Sequence, residues 1–87
     1  MSTENVDFLS SAQCRAARGL VGLTQPALAK SAGLGLSTIV DFERSRRFVS
    51  GEAVKSIRAA LERAGVEFIS ENGGGPGVRL RKPGERK

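Results

Sequence analysis

Between residues 10 and 65 the apolar positions recur at spacings of three and four, the period of helices that bury one face. They fall into four short runs. The first turns Cys14, Ala17, Leu20 and Val21 inward. Ser10 and Gln13 make the S-x-x-Q pattern of a capping box at its start, Leu9 stands where a hydrophobic staple against Cys14 belongs, and Gly22 suits the left-handed residue that ends a helix. The second run, Leu28, Ala29 and Ala32, has Thr24 as its cap and Pro26 in its first turn, where a missing N–H costs nothing. Gly33 stops it and Leu34 plugs the corner that follows. A third helix is predicted from Leu36 to Arg44, burying Ile39 and Phe42. Ser50 caps a fourth, with the stripe Val54, Ile57, Leu61 and Ala64 ending at Gly65.

The period then changes to two. Residues 66–70, VEFIS, and 78–82, VRLRK, alternate apolar and polar positions around the glycine-rich 72–77, which predicts a β-hairpin with a long loop. Its inner face should combine Val66 and either Phe68 or Ile69 with Val78 and Leu80, leaving Arg79 and Arg81 on the other side. Residues 1–9 show no sustained period and read as a flexible arm, and 83–87 as a disordered basic tail. The domain is therefore 10–65, with the hairpin 66–82 as an added element that must pack on the helices or pair with a second chain.

At 87 residues there is room for one modest core, and with only Phe8, Phe42, Phe48 and Phe68 aromatic it must be built from Leu, Ile, Val and Ala. Such a chain gains from a partner subunit. A single cysteine and no histidine leave no internal disulfide and no ligand set for a structural zinc, so neither a metal nor a cofactor is expected. No apolar stretch approaches the ~20 residues that span a bilayer, and the chain reads as cytoplasmic, without a membrane partner. Enzymatic readings find no footing. Cys14 lies on a core face without a base partner, and the GGGPG loop lacks the lysine and following helix of a P-loop.

Charge changes the picture more than composition does. Residues 1–43 carry three Lys/Arg against four Asp/Glu, residues 44–87 eleven against five, so the net charge of +5 is concentrated in the second half. A basic half attracts polyanions, although a merely solvated face has the same composition. Two short helices joined by a glycine-containing turn, the second ending in Arg44, Arg46 and Arg47, meet the physical specification of a helix-turn-helix.

The run RAARGLVGLTQPALAKSAGLGLSTIVDFERSRR resembles the Cro/C1-type (Xre-like) helix-turn-helix family, whose R…GLTQ..LA…G….TI..FE pattern it matches in spacing from Arg18 to Glu43. The resemblance covers roughly residues 12–64. The ending GVEFISENGGGPGVRLRK is similar to the close of many short bacterial regulators of this type. The resemblance implies a mainly α, four-helix lambda-repressor-like domain, here with a short C-terminal β-hairpin. It implies a DNA-binding transcriptional regulator, such as a repressor, that binds double-stranded DNA as a homodimer.

The resemblance also implies residue roles. Arg18 and Glu43 match a buried ion pair that ties the helices together, the other reading being two unrelated surface charges. Gln25 matches a glutamine that bonds the DNA backbone, at a helix N-terminus suited to phosphate; Thr24 is either a second phosphate contact or only a cap. Leu36, Ser37 and Asp41, with Thr38 nearby, match base-reading positions. Here the chain departs from the family, because Gly35 replaces a Ser/Thr cap and no Gln, Asn or Arg is placed to read a base bidentately. Leu36 could meet a thymine methyl, Ser37 several bases, and Asp41 a cytosine amino group, or Asp41 could repel phosphate and so reject wrong sites. Arg44, Arg46 and Arg47 would sit beside phosphates flanking the groove, unless they form a solvated basic loop. Two further readings stay open: an antitoxin that represses its own operon and binds a toxin, and a module in which Leu36 and Val40 dock another protein or regulator.

Overall fold

The computed structural model describes residues 9–46, 48–71 and 73–81. They form α1 (Ser11–Val21), α2 (Gln25–Ala32), α3 (Leu36–Glu43), α4 (Gly51–Arg63), β1 (Val66–Ile69) and β2 (Gly77–Leu80). The protein is mainly helical, with a two-stranded antiparallel hairpin at the C-terminal side. No helix among the described residues is long and apolar enough to cross a membrane.

Local chemistry sets the boundaries. Ser10 and Gln13 close the reciprocal capping box at the start of α1, and Gly22, at φ 68°, ends it. The Thr24 hydroxyl accepts from the Ala27 N–H, Pro26 occupies the first turn of α2, and Gly33 turns left-handed at φ 72°. From there the Leu34 N–H returns to the Ala29 carbonyl at 2.9 Å, folding the chain back on α2. The Ser50 hydroxyl caps α4 at the Ala53 N–H. α3 ends at Glu43, one residue before the sequence reading, because Arg44 leaves helical geometry as the C-cap.

The helices pack around Cys14, Ala17, Leu28, Ala29, Ile39, Ile57, Ala60 and Leu61, closed at one end by Leu9 and Val66. Leu9 thus belongs to the core rather than to a flexible arm. Two expected inward positions are not inward. Leu20 and Ala64 are exposed, since the buried stripe of α1 stops at Ala17 and that of α4 runs through Ile57, Ala60 and Leu61 and ends there. Val21 and Val54 sit at the half-buried margins.

The hairpin pairs Val66 with Leu80, Glu67 with Arg79, Phe68 with Val78 and Ile69 with Gly77, so each strand has four residues against the five predicted, and β2 begins one residue early, at Gly77 of the expected loop. Val66, Phe68, Val78 and Leu80 share the face toward the helices, so Phe68, not Ile69, is the second inward residue of β1. The Arg58 guanidinium lies 5.0 Å from the Phe68 ring centroid and covers it. Gln13 fixes the hairpin to the first helix, its Nε2 donating to the Gly77 carbonyl at 3.0 Å while its Oε1 holds the Ser10 N–H. That one side chain both starts α1 and clamps β2. Arg63 donates to the carbonyl and the hydroxyl of Ser31, joining the end of α4 to α2.

Candidate nucleic-acid interface

The angle between α2 and α3 is set by a carboxylate. Glu43, at the last turn of α3, is only 3 % exposed. Its Oε2 accepts from Arg18 Nε at 2.7 Å and from the Cys14 thiol at 3.1 Å; its Oε1 accepts from Arg18 Nη2 at 2.8 Å and from Gln25 Nε2 at 3.0 Å. Four donors from α1 and α2 therefore converge on one group of α3. Arg15 donates to the Glu43 backbone carbonyl, and Arg18 Nη1 to the carbonyl of Leu23 in the α1–α2 turn. The arrangement satisfies both carboxylate oxygens, the condition under which a buried charge is tolerated.

The electrostatics follow. Burial alone would raise the Glu43 pKa, but the hydrogen bonds from Arg18, Cys14 and Gln25, with the Arg18 charge, outweigh it and hold the carboxyl below its ordinary range. The hydrogen bond to Glu43 raises the Arg18 pKa in turn. Cys14 moves the other way for a thiol of use as a nucleophile: burial first, then the Glu43 carboxylate, push its pKa up and keep it protonated. The expectation that Cys14 has no base partner is corrected to this extent: its sulfur donates to the Glu43 carboxylate, which keeps the proton on the thiol.

The outward side of the same helix pair holds the residues singled out from the sequence. Leu36 is 46 % exposed, Ser37 is exposed and Thr38 half-buried, all on the first turn of α3. Gly35 contributes no side-chain cap to that turn. Thr24 is exposed but its hydroxyl is engaged by the Ala27 N–H. Gln25 is half-buried; one amide hydrogen goes to Glu43, leaving its other hydrogen and its oxygen without partners among the described residues. Asp41 is not an open reader, for its half-buried carboxylate lies 3.9 Å from the Arg46 guanidinium. Arg44 is exposed at the C-cap of α3. After it, Ser45 adopts φ 54°, which reverses the chain so that the Arg46 N–H returns to the Asp41 carbonyl at 2.9 Å. The Ser45 hydroxyl donates to that of Ser11 at 3.2 Å, fixing this turn on α1. Arg47 lies outside the described residues. Phe48, next in the chain, is 85 % exposed.

The roles of Gln13, Arg15 and Cys14 as ties between elements were not foreseen. Gln13 carried a signal only for its local cap, because its second partner is 64 residues away. Arg15 shares a helix face with Arg18, three residues on, and that spacing was the available hint. Among the described residues no group of three or more His, Cys, Asp or Glu is arranged to hold a metal ion. No family model and no curated protein matches the chain.

Proposed function

We propose that the chain is a sequence-specific DNA-binding transcriptional regulator of lambda-repressor-like architecture, in which α3 enters the major groove. The observation that carries this reading is the exposed first turn of α3, held at a fixed angle to α2 by the Glu43 cluster. The N-terminus of α2 meets the other end of α3, where Gln25 bonds Glu43 and Arg44 and Arg46 follow. Exposed side chains at the start of a second short helix are what a helix-turn-helix presents to base edges, and flanking cations and helix N-termini meet phosphates.

Direct readout in this assignment rests on few groups. Leu36 offers an apolar contact for a thymine methyl and Ser37 a donor and an acceptor. Asp41, held by Arg46, serves less as a reader than as a brake on phosphate approach. Two copies related by a two-fold axis would place their third helices in successive major grooves, with half-site centres about 10–10.5 bp apart.

Neutralising Arg44, Arg46 and Arg47 to alanine tests the orientation. If they face phosphates, affinity falls and the dependence of log K on log salt flattens by about 0.9 for each phosphate that is no longer neutralised. Unchanged affinity and slope would remove this end of α3 from the interface. The exposure of Leu36 favours one second reading, a helix face that docks another protein, such as the toxin of an autoregulated pair. A toxin gene beside this one, with binding of its product, would support that reading.

A further inference from the structure

The two edges of the hairpin are unlike. The Arg81 N–H donates to the Gly65 carbonyl at 2.8 Å, just outside the Val66–Leu80 pair. Backbone groups alternate in direction along an antiparallel ladder. The N–H and C=O groups of Val66 and Phe68 therefore point away from β2, and those of Val78 and Leu80 away from β1. On the β1 side Val66 is fully buried at the end of α4. On the β2 side Leu80, its cross-strand neighbour on the same face, is 53 % exposed. Among the described residues no hydrogen bond reaches the outward groups of Val78 and Leu80. An open strand edge with an uncovered leucine is a template for another strand.

We propose that this edge pairs with the same edge of a second copy, antiparallel about a two-fold axis through Arg79, to make a four-stranded sheet across the dimer. The proposal deepens the dimer in the DNA-binding reading and rests on that reading for its purpose, while its geometry comes from the hairpin alone.

Three features select a second copy as the occupant. Pro76 and Pro83 bracket the strand in sequence and lack the N–H a ladder needs, which confines pairing to the residues between them and centres it near Arg79. With the axis there, the outward groups of Val78 meet those of the partner's Leu80, and Leu80 meets the partner's Val78, so both pairs exchange hydrogen bonds. The inner face then carries Phe68, Val78, the partner's Leu80 and the partner's Val66 as one apolar row, repeated by symmetry, and the exposed leucine is covered from both sides. On the outer face the row runs Glu67, Arg79, the partner's Arg79, the partner's Glu67. Its charges sum to zero, and each arginine is already bound to its own glutamate, at 3.2 Å. The two-fold makes the edge complementary to itself in its backbone groups and its apolar row, and sets Arg79 against the partner's Arg79, a like-charge contact that each arginine's own glutamate offsets.

The test uses the full chain without DNA. Light scattering at about 100 μM should give twice the 9.2 kDa chain mass. Leu80→Lys, at a position already half in solvent, should keep the helical circular dichroism and weaken self-association at least tenfold. Arg79→Cys should form an intermolecular disulfide on mild oxidation, because directly opposed residues of a wide pair have Cα atoms about 4.5 Å apart, within disulfide reach. Cys14 is buried and does not compete. Glu52→Cys, exposed on α4, is the control and should stay uncrosslinked. A monomeric wild type, a dimer indifferent to Leu80→Lys, or crosslinking no better than the control's overturns the proposal. A dimer crosslinked at this position that ignores DNA would instead overturn only the DNA-binding reading.

Discussion

Gln25 and Glu43 stand 18 residues apart, at the start of α2 and the end of α3, and are joined by a 3.0 Å hydrogen bond from amide to carboxylate. The bond makes the outer corner between α2 and α3 part of the same cluster that Arg18 and Cys14 close from beneath. The presentation of α3 thus depends on a polar group with almost no exposure as much as on the turn at Gly33.

Replacing Glu43 by glutamine removes the charge while keeping the shape. Arg18 then loses its counter-ion in a site that is only partly open to water, and the loss should be about 3 kcal/mol of unfolding free energy, the lower end for a broken buried pair. Urea denaturation followed by circular dichroism measures it. A loss under about 1 kcal/mol would mean that the pair behaves as a surface ion pair.

The same carboxyl sets an acid limb. Its folded pKa lies below the ordinary glutamate value of about 4.3, so its contribution is fully present above that pH and is lost as pH falls through the lower folded value. The urea midpoint should hold from pH 7 to 5 and fall once the pH drops below the ordinary glutamate value of about 4.3. Glu43→Gln should flatten part of that drop. Glu67 is also shifted down, through its hydrogen bond and charge contact with Arg79, but the pair lies at the surface, open to solvent screening, and adds little.

Two glycines with equal space around them should respond in opposite directions. No atom lies within 4 Å of a Cβ added at Gly33 or at Gly19, so backbone conformation alone decides. Gly33→Ala forces an L residue to φ 72° and should cost about 1–2 kcal/mol. Gly19→Ala, inside α1, should stabilise by about 0.5–1 kcal/mol. Thermal or urea melts of both variants, compared with wild type, test the pair of signs; equal effects would contradict the assigned helix end.

Gln13→Ala should remove half the capping box and the clamp on β2 together, at a cost of about 1–2 kcal/mol. Amide exchange should rise in β2 as well as at the start of α1. Faster exchange confined to α1 would show that the bond to the Gly77 carbonyl contributes nothing.

Helix ends were legible because single residues announce them: Ser10 with Gln13, Thr24 with Pro26, Gly33, and Ser50 are local signals that no distant contact overrode. The margins of the core were not. Leu20 and Ala64 fit the apolar period of their helices, yet each lies at the end of its helix, where no neighbouring element covers it. Leu80 fits the inner face of its strand and remains half-exposed for the same reason. The Arg18–Glu43 pairing came from the family pattern. The further donors from Cys14 and Gln25 depend on where three helices converge, which the spacing within any one of them does not encode.

The central claim is that α3 reads DNA, and its most direct test is titration of the purified protein against its own upstream region and a scrambled fragment of equal length, at several salt concentrations. The account predicts much tighter binding to the natural fragment, with a preference that persists as salt weakens both. Equal binding to the two fragments, fading together as salt rises, would contradict it and reduce the basic half to a general attraction for polyanions.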